Sequence, residues 1–241
     1  MSAPGAQTLW LERLDEAVNF TRWVGDEIRP FLRGRALEVG CGSGTHTELL
    51  ARCCETVVAV DLDPVFAAAA RGRFAGNPKV QVIEGDARRL PELGRFDTIV
   101  MLDVLEHIDD DVGTLADLGR RLTEGGRLVL KVPAHPALYG ALDAAIGHRR
   151  RYGRKSLAAA AERAGLALVH CKFFNLAAAP GWWLNGRVLK RGEPPEGQIR
   201  LYDRLVPAFR LIDRFTGPPF GASLIAAAEP LSAGRNAADA G

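Results

Sequence analysis

Leu37-Glu38-Val39-Gly40-Cys41-Gly42-Ser43-Gly44, followed by Val58-Ala59-Val60-Asp61, decides the architecture of this 241-residue chain. An apolar run, a turn with glycine at alternate positions, and a second apolar run ending in a carboxylate read as strand, turn, helix, strand. Gly40, Gly42 and Gly44 let the backbone turn tightly and approach a ligand that side chains would exclude. Asp61 then falls at a distance where an acidic residue accepts ribose hydroxyls. The stretch reads as a nucleoside-cofactor site. A dinucleotide fingerprint, G-x-G-x-x-G, places its third glycine one residue later, where this chain has Thr45.

Outward from that stretch, short apolar runs alternate with helical segments. Strands are expected at 36–39, 57–60, 80–83, 98–102 and 128–132, and helices at 45–53, 64–74 and 109–122, the last closing at Gly125-Gly126. A leading helix is expected over 7–31. Beyond Val132, Pro133, Pro136, Gly140, Gly147 and Gly153 break the pattern into an irregular, partly helical connection. A helix at 156–164 and strands at 167–173 and 223–228 follow. The expected fold is an α/β, Rossmann-like, doubly wound, mostly parallel seven-stranded sheet with helices on both faces and an antiparallel last strand.

One domain is expected over 1–229, with a cofactor-binding core at 34–132, substrate-side elements at 133–174 and an insertion at 175–220; a disordered tail is expected over 230–241. The insertion carries Trp182-Trp183 and an apolar stripe through Ile199, Tyr202, Leu205, Val206, Phe209, Ile212 and Phe215, which Pro207 should kink or split. A lid over the active site or a dimer contact fits this stripe, and its bordering arginines also suit a membrane surface. The chain is expected to be a monomer or a homodimer.

A net charge of +2 with 47% hydrophobic and 25% charged residues is ordinary globular composition and does not indicate a nucleic-acid binder. No nucleic-acid partner is expected. Cys41, Cys53, Cys54 and Cys171 show no paired metal spacing and read as free thiols in a reducing compartment. The sequence lacks a signal-like segment and any apolar run near the roughly 20 residues a membrane span needs, so a cytoplasmic location is expected.

The first four strands each end in or just before an acid: Glu38, Asp61, Asp86 and Asp103. In a parallel sheet these ends share one edge, where four carboxylates repel a pyrophosphate and suit a ligand bearing a sulfonium and an ammonium. The shortened glycine spacing resembles motif I of the class I S-adenosylmethionine-dependent methyltransferases, and class-wide motifs continue over about 34–174. The resemblance implies S-adenosyl-L-methionine as cofactor. It places the backbone of Gly40, Cys41, Gly42 and Gly44 around the methionine moiety, Asp61 with Leu62 at the ribose, and Asp86 with the Ala87 amide at the adenine. Asp103, beside Val104, then sits near the methionine amino group and the transferring methyl. Glu38 is a cofactor candidate with an alternative as a buried acid satisfied by backbone amides, and Asp103 has an alternative as a turn cap.

Methyl transfer needs an aligned nucleophile and, for some acceptors, loss of its proton. Glu106-His107 is an arrangement found in many small-molecule methyltransferases of this class. His107 is a candidate base or shield, and His148 a second candidate base. Substrate contacts are expected from His135, Tyr139, Asp143, Arg151, Tyr152 and Trp182; the arginines at 149–151 suit an anionic group, or form a solvated basic loop or pair with Asp143 and Glu162. No metal-ligand cluster is legible, Glu106-His107 with a further carboxylate being the one combination left open. These expectations favour transfer to an oxygen of a small, acidic or amphipathic molecule, over N- or C-directed transfer or a non-catalytic cofactor-binding role.

Overall fold

The computed structural model describes residues 17–89, 93–192, 197–217 and 219–231. Seven strands form one sheet in the order β3-β2-β1-β4-β5-β7-β6. They are β1 (Arg35–Val39), β2 (Thr56–Asp61), β3 (Val80–Glu84), β4 (Phe96–Leu102), β5 (Leu122–Pro133), β6 (Leu166–Phe174) and β7 (Ser223–Pro230). The pairs β1·β2, β1·β4, β2·β3 and β4·β5 are parallel, and β7 runs antiparallel between β5 and β6. The order reverses beside β1, so the crevice at the carboxyl ends of β1 and β4 is where an open sheet of this kind receives a ligand.

The strands are apolar because the sheet is covered on both sides. Leu37, Val58, Ile99, Met101, Leu128 and Leu130 pack beneath α4 (Asp111–Gly119) and α6 (Arg154–Arg163), through Leu115, Leu118, Leu157 and Ala161. Ala36, Val57, Val100, Val129 and Ile225 face the other side, under α1 (Val18–Ile28) and α2 (Thr47–Cys53). There Trp23 of α1 packs on Phe174 with ring centroids 4.4 Å apart. The remaining helices are α3 (Pro64–Arg73), α5 (Ala141–Ala145), α7 (Ala178–Trp182) and α8 (Gln198–Thr216). Asp63 caps α3 by accepting from the Val65 amide at 2.8 Å, ahead of the proline in its first turn.

Several boundaries differ from the sequence expectation. Gly125-Gly126 does not stop a helix: α4 ends at Gly119, and β5 begins at Leu122 and takes the glycines into a register shift, with Phe96 opposite Leu122 but Thr98 opposite Arg127. Gly125 has φ +69°, which fits such a bulge. β7 runs on to Pro230 because the Leu231 amide is held by the Gly165 carbonyl at 2.9 Å. The expected leading helix is described only from residue 17, and the rest of it, with tail residues 232–241, lies outside the described residues.

Pro207 does not split the stripe, since α8 continues through it. Proline cannot donate to the carbonyl four residues earlier, that of Asp203. The Asn19 side chain of α1 supplies the missing donor, reaching the Asp203 carbonyl at 3.1 Å. In return the Asp203 carboxylate accepts from the Phe20 amide at 2.9 Å and the Asn19 amide at 3.3 Å, two groups with no partner inside their own helix. This reciprocal exchange fastens α8 to α1 across the carboxyl edge of the sheet. No helix among the described residues is long and apolar enough to cross a membrane.

Candidate active site

A cavity of about 1090 Å³ opens over the carboxyl ends of the strands, bounded by the glycine turn, α1, α8 and the 142–151 connection. The amides of Gly40 and Cys41 both donate to the Val60 carbonyl, at 2.8 and 3.1 Å, folding the turn onto the end of β2. All three glycines have positive φ, for different reasons. A Cβ on Gly40 would fall 2.5 Å from Val104, and one on Gly44 would fall 2.5 Å from the Phe74 ring, so protein packing demands both. A Cβ on Gly42 would meet nothing within 4 Å, because that space belongs to the cavity. The second glycine therefore leaves room for a ligand rather than for a neighbour.

Asp61 is held in place by this turn. Its Oδ2 accepts from the Gly42 amide at 2.7 Å and its Oδ1 from the Asp63 amide at 2.9 Å. Burial raises its pKa against the lowering effect of those two amides. Each oxygen keeps a lone pair with which it can accept a further hydrogen bond. Leu62 and Asp86 line the same region, and Ala87 forms its floor. The Asp86 carboxylate is already gripped by Arg88, whose Nε donates at 2.9 Å and Nη2 at 2.6 Å, and this bonding lowers the carboxyl's pKa.

Glu38 lies behind the turn, outside the cavity lining, where it accepts a hydrogen bond from the Thr47 hydroxyl. Its partner is a side-chain hydroxyl rather than a backbone amide. Burial pushes its pKa up to about 8, so the folded protein holds it protonated at neutral pH. A folded pKa above the unfolded value makes stability fall as pH rises from the ordinary carboxylate range toward 8. Glu38→Gln should remove that fall, gaining on the order of 2–4 kcal/mol over the native chain at pH 9 and almost nothing at pH 4. Urea melts at the two pH values check this, and equal pH dependence in both proteins would contradict it.

At the other end of the cavity, Asp103 has φ +54°, a conformation aspartate tolerates, and its carboxylate pairs with Lys131 Nζ. Lys131 is 5% exposed and reaches this end from β5, where its carbonyl also accepts the Asp103 amide at 2.9 Å. The ammonium also lies over the Phe20 ring, 5.5 Å from its centroid. Lys131 was not a sequence candidate; the only signal was one cation inside the apolar run Leu128-Val129-Leu130-Lys131-Val132. With Glu38 protonated and Asp86 and Asp103 paired, three of the four strand-end acids carry no uncompensated charge, and the field at this edge is less negative than the bare sequence implies.

His107 and His148 line the cavity next to Asp103 with ring centroids 4.9 Å apart. His107 Nδ1 faces the Gly147 carbonyl at 3.2 Å, and His148 Nδ1 faces Asp143 Oδ1 at 2.8 Å. Burial, with His148 nearby, lowers the His107 pKa to about 4 and keeps that ring neutral. Asp143 is fully buried and also accepts from Arg151 Nε at 2.8 Å, Trp182 Nε1 at 3.0 Å and the Gly140 amide at 3.0 Å. Burial opposes ionisation here, but the His148 hydrogen bond and the Arg151 charge outweigh it, and the Asp143 pKa is lowered. Arg151 and Trp182 reach the cavity wall, the guanidinium lying over the indole.

Besides Asp143, which is buried behind the cavity lining, three substrate candidates are not brought to the cavity. Tyr152 is buried and donates to Asp111 at 2.8 Å, Tyr139 donates to the His148 carbonyl at 2.8 Å, and His135 is stacked between Phe173 and Phe220. The arginines at 149–151 do not present an anion site: they pair with Asp109, Asp111 and Asp143 respectively. The second half of the wall comes from residues with no motif, among them Phe20 of α1, Leu142 and Ile146, and Tyr202, Leu205 and Phe209 of α8. The Tyr202 hydroxyl is anchored to the Asn175 side chain at 2.6 Å.

The sequence profile of the Methyltransferase domain family matches residues 37–130. Over 117 residues the chain is 33% identical to a tRNA U34 carboxymethyltransferase of Proteus mirabilis, covering 45% of this chain and 36% of that protein. Over 119 residues it is 37% identical to an uncharacterized methyltransferase of Mycobacterium tuberculosis, covering 48% of this chain and 59% of that one. The match thus spans less than two thirds of either relative. An S-adenosylmethionine-dependent methyltransferase from Mesorhizobium loti shares the fold at TM-score 0.59 and 17% identity, over 85% of this chain and 95% of that one. Residues 37–130, which hold the glycine turn and Asp61, thus match a methyltransferase domain, and the seven-stranded order built around them is the fold seen in S-adenosylmethionine-dependent methyltransferases.

Proposed function

We propose that this chain binds S-adenosyl-L-methionine at the glycine turn and moves its methyl group to an oxygen of a small amphipathic acceptor. The supporting observation is one continuous cavity that joins Gly42, Asp61 and Ala87 at one end to His107, His148 and Trp182 at the other. Its volume of about 1090 Å³ exceeds the roughly 300–1,000 Å³ of an ordinary single-ligand pocket, which suits a cofactor and an acceptor together. The residues fit the cofactor: Asp61 offers lone pairs to ribose, the space over Gly42 admits the methionine moiety, and Asp86 with Ala87 borders the adenine. When bound, the cofactor supplies a methyl carbon activated by its sulfonium.

The chain's own part is placement and proton control. Asp103, fixed by Lys131, marks the end of the cofactor's methionine region. His107 and His148, whose Nδ1 atoms are already engaged, use Nε2 to orient the acceptor's hydroxyl, and one of them receives its hydrogen. Leu142, Ile146, Leu205, Phe209 and Trp182 give the acceptor an apolar berth, and the pairing of the arginines at 149–151 argues against an acidic one.

Incubation of the protein with methyl-labelled cofactor and a cell extract should place label in the small-molecule fraction. Label confined to the RNA fraction would overturn the small-molecule assignment. His148→Ala should lower kcat by about 10²-fold or more and leave S-adenosylhomocysteine affinity within about threefold. Undiminished turnover in that variant would remove His148 from the reaction.

A further inference from the structure

Among the described residues, Glu106 is the one buried side chain with both of its polar atoms left without a hydrogen-bond partner. It is 0% exposed. Buried carboxyls are normally satisfied, and an orphan directly behind two cavity-lining histidines needs a reason. The neighbouring charges do not provide it, because each cation already has its own acid: Lys131 pairs with Asp103, and Arg151 with Asp143.

The two histidines adjoin Glu106, their ring centroids 4.9 Å apart. A carbonyl can only accept, so the Gly147 carbonyl fixes the hydrogen of His107 on Nδ1 and leaves its Nε2 a bare lone pair. Asp143, bound by Arg151, Trp182 and the Gly140 amide, does the same for neutral His148. His148 Nε2 stands 3.6 Å from Glu106 Oε1, and one ligand atom from each of Glu106, His107 and His148 lies within 4.8 Å of the others. Around a tetrahedral ion with bonds of about 2.0–2.1 Å, such atoms sit roughly 3.4 Å apart, a contraction that side-chain rotation supplies. A histidine whose Nδ1 is held by a carboxylate or a backbone carbonyl while Nε2 faces a cation is the ordinary outer shell of a metal site.

We propose that Glu106, His107 and His148 bind one divalent transition-metal ion of the zinc type at the acceptor end of the cavity. This goes against the absence of a metal expected from the sequence, where Glu106-His107 and His148 lie about forty residues apart and share no ligand spacing. Two imidazoles with one carboxylate select zinc, cobalt, iron or manganese over magnesium or calcium, which prefer oxygen. Three protein ligands leave a position free on the cavity side. There the ion takes the acceptor's oxygen directly, in place of the hydrogen bonds to the imidazoles; this role rests on the proposed methyl transfer, whereas the binding of the ion does not.

The test is a calorimetric titration of tag-free, chelator-stripped protein with ZnCl₂, without cofactor, and a parallel CoCl₂ titration followed by visible absorption. One equivalent should bind, with a cobalt spectrum of low coordination number, and MgCl₂ should not compete. His148→Ala and the isosteric Glu106→Gln should each weaken binding about 100-fold or more, and Asp143→Asn about 10- to 100-fold. S-adenosylhomocysteine titrations of the same samples show that each variant is folded and keep the two claims separate. Absence of zinc binding, or equal affinity in native protein and folded Glu106→Gln, overturns the site, whatever becomes of cofactor binding.

Discussion

Asp61→Ala should weaken S-adenosylhomocysteine binding by about 100-fold or more in a calorimetric titration. The aspartate does two things with one carboxylate. Its inner lone pairs hold the Gly42 and Asp63 amides at 2.7 and 2.9 Å, which sets the turn, and in the proposed complex its outer lone pairs accept the ribose hydroxyls. Hydrogen bonds to a charged group contribute about 1.5–3 kcal/mol each, and every 1.4 kcal/mol is tenfold in affinity, so loss of the ribose contacts alone accounts for the expected change. Asp61→Asn keeps one acceptor oxygen and should fall between the two proteins. An Asp61→Ala variant that binds within threefold of native would show that the ribose is held elsewhere.

Asp143→Ala should be the most destabilising single change in the acceptor half, by about 3–5 kcal/mol, because it strands the buried Arg151 guanidinium as well as His148, Trp182 and the Gly140 amide. For a chain of this length that lowers Tm by roughly 6–20 °C. The same carboxylate predicts a pH trend of opposite sign to that of Glu38. Its folded pKa is depressed, so its contribution is present at neutral pH and is lost as pH falls through the carboxylate range. The native protein should therefore lose more stability than Asp143→Ala between pH 7 and pH 3. Differential scanning of both proteins across that interval measures it, and parallel curves would mean that Asp143 is not ionised in the folded state.

Both residues were legible in the sequence, but to different depths. Asp61 could be assigned a role because strand, turn and acid follow one another along the chain, and a parallel sheet brings consecutive strand ends to one edge. Asp143 was legible only as a member of a polar stretch. Gly140, His148 and Arg151 lie within eight residues of it and Trp182 in a separate segment, and hydrogen bonds that close only when the connection folds back on itself leave no spacing to read. The same cause hid Lys131: a lysine in an apolar strand has no meaning until the neighbouring strand is known to end in Asp103.

Local rules also misled where tertiary partners overrode them. Gly125-Gly126 has the composition of a helix stop but forms an irregularity inside β5. Pro207 has the strength of a helix breaker, yet α8 passes through it because Asn19 satisfies the carbonyl that proline leaves open. The basic run at 149–151 reads as an anion site until each arginine is seen against its own aspartate. For Pro207, Arg149 and Arg150 the deciding atom lies dozens of residues away, whereas Arg151 meets an aspartate eight residues before it.

The wild-type arm of the Asp61 titration bears most directly on the central claim that the cavity over the glycine turn is built for S-adenosylmethionine. Native protein titrated with S-adenosylhomocysteine and, separately, with NAD should bind one equivalent of the first and show no saturable heat with the second. Binding of NAD with no response to S-adenosylhomocysteine would contradict it.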